Sequence, residues 1–222
     1  MLHARMRVIV VSLFSLTCLA CALPARAQDP PPRIGPFVID LHGTFPSFPE
    51  DALLADSRGM SLAELPGPGL GVQIGVHVYL VRWRAMTIGI GGEYAASRAT
   101  QTPLESVTVV RPAEERFTSI APQVSLNFGT GHGWSYISGG LGTSTWSIVP
   151  QGQEGYPPDL DRIKTVNYGG GARWFAKPHL AFSFDVRLYA INPGSAGQIG
   201  KTLLPQTPRT TLMVVGAGIS IK

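Results

Sequence analysis

The histidines His42, His77, His132 and His179 are the residues of this chain best suited to acid–base or metal chemistry. Hydrolysis by a serine nucleophile needs an imidazole within hydrogen-bond reach and a carboxylate to orient it. No His-Ser motif sets up such a pair. Metal capture needs ligands at a fixed spacing, and no His-x-His or His/Asp cluster supplies one. The sequence therefore predicts no catalytic residue, no metal ligand and no cofactor. His132 and His179 fall in turn-like stretches and read as solvated. Other ionisable residues follow a different pattern: Asp40, His42, His77, Glu93, Arg173, Asp185 and Arg187 sit at alternate positions of otherwise apolar segments. Acids and bases interleaved in this way must pair with one another, because a lone charge in a confined space is costly.

The segments that carry them alternate with period two, which puts successive side chains on opposite faces of a strand. In Gly69 to Val81, Leu70, Val72, Ile74, Val76, Val78 and Leu80 share one face, and Gln73, His77 and Tyr79 share the other. Leu180 to Ile191 divides in the same way: Leu180, Phe182, Phe184, Val186 and Leu188 against Ser183, Asp185, Arg187 and Tyr189. Five more segments repeat the split: Phe37 to Phe45, Met86 to Ala96, Ile120 to Phe128, Val166 to Phe175 and Thr211 to Ile221. An eighth, Trp134 to Ile148, is strand-like with a conflict of parity that suggests a bulge. Glycines such as Gly75, Gly91, Gly171 and Gly218 fall on the polar face and leave room for its long side chains. Pro122 lies inside the fourth segment, where it removes a ladder bond; a bulge near one rim is expected to accommodate it.

Composition agrees with many short strands. The chain has 222 residues with 26 Gly and 19 Pro, enough to interrupt long helices repeatedly. Its charged share is 14%, against roughly 25% in soluble globular domains. Residues 1–27 read as a cleaved signal peptide: Arg5 and Arg7, an apolar stretch from Val8 to Ala22, and Ala25-Arg26-Ala27 before the cut at Gln28. Removing Arg5, Arg7 and Arg26 from the 18 basic residues leaves 15 against 14 acidic ones. No clustered basic stripe remains, so nucleic acid is not an expected partner. Cys18 and Cys21 both leave with this segment, and with them any disulfide or thiolate site. Residues 28–34 form a Pro-rich lead-in, and 35–222 form a single domain.

Connections between the segments alternate in length. Those at Pro46 to Pro68, Ser97 to Arg116, Pro150 to Ile163 and Asn192 to Pro208 are long, whereas those around Arg84, at Gly129 to Gly133 and at Ala176 to His179 are short. Short turns at one end and long loops at the other match an outer-membrane barrel. Phe128, Trp134, Tyr136, Trp174 and Phe175 cluster beside the short turns, where an aromatic girdle would sit. The first long loop contains Asp51 to Asp56 and Ser61 to Leu65, the latter opening like a capping box. Its apolar residues either pack on the barrel or meet a partner.

Two stretches resemble strands six and seven of the small bacterial outer-membrane β-barrel proteins, the OmpA/OmpX-like group: Tyr168-Gly-Gly-Gly-Ala-Arg-Trp-Phe175 and Leu180-Ala-Phe-Ser-Phe-Asp-Val-Arg-Leu-Tyr189. The resemblance covers most of 35–222. It implies an all-β, eight-stranded antiparallel up-and-down transmembrane barrel, inserted by the barrel-assembly machinery through a C-terminal strand such as Gly216 to Ile221. That strand ends on Lys222 where the group usually has an aromatic residue. The expected protein is a monomeric, non-enzymatic barrel of the cell outer membrane with lipid around it. Its role is structural or surface-interacting through the external loops, and its lumen is plugged by the polar residues named above. Register around the turn at Arg84 sets His77 opposite Glu93 or diagonal to it, so His77, Arg173 or Arg187 is the expected partner of Glu93. A lipid-modifying enzyme at the rim and a soluble lipocalin-like barrel are the alternatives.

Overall fold

The computed structural model describes residues 32–101, 112–150, 159, 161–199 and 201–222. The signal segment, most of the lead-in and the tips of the second and third long loops lie outside these residues. One compact unit begins at Pro32. Its strands are β1 (Phe37–Ser47), β2 (Leu70–Trp83), β3 (Met86–Gln101), β4 (Ala113–Thr130), β5 (Gly133–Pro150), β6 (Ile163–Lys177) and β7 (Leu180–Ile191), followed by β8 (Ala196–Ile199), β9 (Thr202–Gln206) and β10 (Thr210–Ile221). Each of the strands β1 to β6 pairs antiparallel with its successor. β10 then pairs with both β7 and β1, closing an eight-stranded barrel. Closure removes every free edge. β8 and β9 form a separate hairpin within the last long loop.

Alternation sets the faces as the sequence predicts. Val76, Val78, Ile90, Val124, Phe182 and Phe184 are exposed on the outer surface, whereas Asp40, His42, Gln73, His77 and Asp185 are buried inside. This pattern is inverted relative to a soluble lipocalin-like barrel, whose apolar side chains point inward. No helix among the described residues is long and apolar enough to cross a membrane.

Several expectations need correction. β5 has no bulge: its pairing runs in one register from Gly133 to Pro150 along β4, and its even positions point inward throughout. The conflict of parity has a simple source, since Trp146 and Ile148 are buried in the lumen while Ile137 and Leu141 face outward. Both faces of β5 thus carry apolar residues. Pro122 likewise produces no register shift and no rim bulge. It sits in mid-strand, pairs with Gly92 of β3, and leaves a short unpaired gap toward β5 between Ile120 and Gln123. An irregularity does occur in β2 between Tyr79 and Val81, close to its turn. There Arg84 adopts φ 55°, an uncommon conformation for a residue other than Gly. At the next tight turn Gly129 has φ +143°, and a Cβ there would lie 2.5 Å from the Gly133 carbonyl oxygen. Only glycine suits that position.

β3, β4 and β5 run further toward the loop end than their periodicity suggests, to Gln101, from Ala113 and to Pro150. The extensions of β3 and β4 bury Ala99 and Phe117 inward, beside Trp146 and Ile148 of β5. The first long loop contains α1 (Ala52–Asp56), capped by the Asp51 carboxylate, which accepts from the Leu53 and Leu54 amides at 2.8 and 3.2 Å. Leu62–Glu64 forms a short 3₁₀ turn flanked by Ser61 and Leu65, with Glu64 accepting from the Ser61 amide at 2.7 Å.

Candidate functional site

All seven of the ionisable residues singled out in the sequence line the lumen and are buried there. Asp40 of β1 and Arg173 of β6 meet across the barrel: Arg173 Nε and Nη2 donate to the two carboxylate oxygens at 2.8 and 2.5 Å. The Ser220 hydroxyl donates to Asp40 as well, at 2.5 Å. This bidentate geometry suits the planar guanidinium. Arg173 also lies over the Tyr136 ring, 3.9 Å from its centroid. A second cluster joins Glu93, Asp185 and Arg187. Arg187 Nε is 2.9 Å from Glu93, and Arg187 Nη2 is 3.0 Å from Asp185. Glu93 further accepts from Gln73 and from the Tyr189 hydroxyl, each at 2.7 Å. Tyr136 donates to Asp185 at 2.7 Å.

Glu93 thus pairs with Arg187 rather than with His77. The register places Gly75 opposite Glu93 and Gly91 opposite His77, so the two are diagonal. Neither ring nitrogen of His77 finds a hydrogen-bond partner among the described residues. His42 is brought to Ser183, Nε2 to Oγ 2.8 Å, a contact that sequence spacing across β1 and β7 could not reveal. Its Nδ1 has no partner, so no carboxylate orients the ring. Both residues are buried in the lumen rather than exposed at a rim, a poor arrangement for nucleophilic chemistry. No group of three or more His, Cys, Asp or Glu that could hold a metal occurs among the described residues.

Neither a protein-family model nor a curated protein matches the sequence. Among solved structures, neisserial surface protein A matches with a TM-score of 0.53 at 13% identity, covering 85% of this chain and 97% of that one. OprG of Pseudomonas aeruginosa matches at 0.48 with 9% identity over 87% and 98% of the two chains. Ail of Yersinia pestis matches at 0.45 with 14% identity over 83% and 97%. The chain has the fold of the small eight-stranded outer-membrane barrels. An interior of that strand number is just wide enough for side chains to fill.

In this outer-membrane-type barrel the short-turn end carries aromatics in two roles. Phe128, Trp174 and Trp83 are exposed on the outer surface, as a girdle requires. Trp134, Tyr136 and Phe175 instead lie on the inner face, which corrects their place in the expected girdle. Trp134 stacks on Phe175 with centroids 4.9 Å apart, and Lys222 lies over Phe175 and donates to the Gly131 carbonyl. Partial burial holds the Lys222 ammonium below the ordinary lysine value.

The loop end carries instead an apolar layer that the sequence did not disclose. Phe117, Trp146, Ile148, Ile191 and Leu212 meet Phe48, Leu54, Met60 and Leu65 of the first loop in one cluster. Trp146 Nε1 donates to Glu115 inside it at 2.6 Å. Arg58 fastens the loop, reaching Asp159 at 3.0 Å and the Thr207 hydroxyl at 2.8 Å. Three loops are thereby tied together.

Proposed function

We propose that the protein is an outer-membrane β-barrel with a sealed lumen, serving a structural or surface-interaction role through its long loops. The observation that supports it is the succession of layers inside the barrel: stacked aromatics at the short-turn end, the Asp40–Arg173 and Glu93–Arg187–Asp185 clusters in mid-barrel, and the apolar cap under the first loop. Opposite charges paired in a lumen this narrow leave little room for water, so a continuous water column is disfavoured. The apolar outer surface supports a lipid surround. In this reading the signal peptide is cut before Gln28, β10 carries the C-terminal assembly signal, the loops face outward, and the barrel works as a monomer without cofactor.

Membrane fractionation, followed by gel migration with and without boiling, tests the placement. The folded barrel is expected to stay with carbonate-washed membranes and to migrate faster unboiled. Extraction by carbonate, or migration insensitive to heat, would reject it. Planar-bilayer recording tests the seal, and a large steady conductance from the unmutated protein would refute it.

A further inference from the structure

On the outer surface at the loop end, two cations and an apolar notch occur together. Arg98 of β3 and Arg116 of β4 are directly paired in register, and Leu70 of β2 completes their row. Glu114 accepts from Arg98 Nε and Nη2, each at 2.8 Å, and also from Arg116 Nε. Its side chain is only 8% exposed, whereas those of Arg98 and Arg116 are 60% and 63% exposed. One carboxylate, covered by the two guanidinia, thus holds them side by side and leaves a net positive charge on an exposed surface.

The next row down consists of Val72, Ala96 and Thr118, and the one below it of Ile74, Tyr94 and Ile120. Small Ala96 and Thr118 between two bulkier rows leave a groove of about 470 Å³ beneath the guanidinia, lined by Leu70, Val72 and Ala96. A second recess of about 470 Å³ lies on the other side of Arg98, against Pro68, Gly69 and Thr100. Height along the barrel fits a membrane interface. On β4 the outward run from Phe128 through Leu126, Val124, Pro122 and Ile120 to Thr118 matches the roughly 9–11 residues of a tilted transmembrane strand, and Arg116 stands one step beyond.

We propose that this surface is a binding site for an anionic, phosphate-bearing lipid of the leaflet at the loop end. The phosphate bridges Arg98 and Arg116, polar headgroup atoms occupy the recess beside Thr100, and one acyl chain lies in the groove over Ala96. Guanidinium forks match phosphate oxygens, and the amphipathic order, cation above and apolar groove below, is that of a lipid rather than of a free anion. The inference rests on the reading of the barrel as membrane-embedded.

The test uses the full mature chain in nanodiscs of phosphatidylcholine with a minority of phosphatidylglycerol, with retained lipids counted by native mass spectrometry. The unmutated protein is expected to retain phosphatidylglycerol over phosphatidylcholine. Loss of two interfacial cations in Arg98→Gln/Arg116→Gln should lower that preference roughly 30-fold. Ala96→Phe keeps both arginines but fills the groove, and should also reduce retention. Should the double variant fail to fold, Ala96→Phe decides alone. Unchanged preference in either folded variant overturns the site, and equal displacement by inorganic phosphate reduces it to a free-anion site and overturns the lipid assignment. Heat-shifted migration after insertion into phosphatidylcholine alone tests the membrane reading separately. A barrel that inserts but shows no preference defeats only this inference, and one that does not insert defeats both.

Discussion

Asp40 and Arg173 illustrate what a buried ion pair in a narrow lumen does. Each is almost wholly removed from solvent; Asp40 accepts from Arg173 and Ser220, and Arg173 is held by Asp40 and the face of the Tyr136 ring. Removing one partner leaves a charge that water cannot reach. Asp40→Ala should therefore destabilise the refolded barrel by about 3–5 kcal/mol in urea unfolding. Asp40→Ala with Arg173→Met should recover most of that loss, because neither charge remains unpaired. A double variant as unstable as the single one would show that packing, not charge, holds this layer. Glu93→Gln should cost less than Asp40→Ala, since Gln73 and Tyr189 still surround the side chain. That these residues face the lumen was legible in the sequence, because period two alone assigns faces. Their pairing was not. Arg173 and Asp40 are 133 positions apart, and nothing short of barrel closure brings β6 across from β1.

At the scale of strands, the outer surface and the lumen differ by a single step of register, so neighbouring residues make a sharp comparison. Val76 is exposed outside and Gln73 is buried inside on the same strand. Val76→Arg and Phe184→Arg each set a cation into hydrocarbon near the midplane, at about 2–4 kcal/mol. Gln73→Arg should be milder, as the Glu93 carboxylate 2.7 Å from the Gln73 amide is there to receive it. Unfolding of the variants in lipid vesicles checks the order, and a reversed order would mean that the faces are exchanged. β2, β6 and β7 were readable because one face is polar and the other apolar. β5 was not, because its lumen face changes character along its length: Ser138 and Ser144 in the middle, Trp146 and Ile148 toward the loops. Alternation disappears wherever the barrel interior is itself apolar. The same effect hid the outward ends of β3 and β4, where Ala99, Ala113 and Phe117 belong to the cap.

Taken as a whole molecule, the proposed seal draws its two thickest layers, the apolar cap and the mid-barrel ion clusters, from opposite chemistry, and they should fail independently. The cap depends on the first loop, whose Leu54, Met60 and Leu65 reach into the mouth and whose Arg58 ties it to Asp159 and Thr207. The mid-barrel layer depends on β1, β3, β6 and β7, which are fixed by the closed ladder and do not need the loop. Replacing residues 49–66 by a short flexible turn should expose Phe117, Trp146 and Leu212 and lower stability, without opening a pore, because the ion clusters below still fill the lumen. Asp40→Ala/Arg173→Ala alone should likewise leave planar bilayers silent, with the cap intact above the hole. Only the combination takes from both layers, removing the loop half of the cap and one of the two ion clusters, and it is expected to give small, steady single-channel steps. If the loop deletion conducts by itself, the polar clusters are penetrable to ions and the cap is the sole barrier. If the combination stays silent, what remains is enough to block ions: the Glu93–Arg187–Asp185 cluster and the Trp134–Phe175 stack at the short-turn end; the same recording repeated with Trp134→Ala added tells the two apart, opening the barrel only if the stack is the barrier.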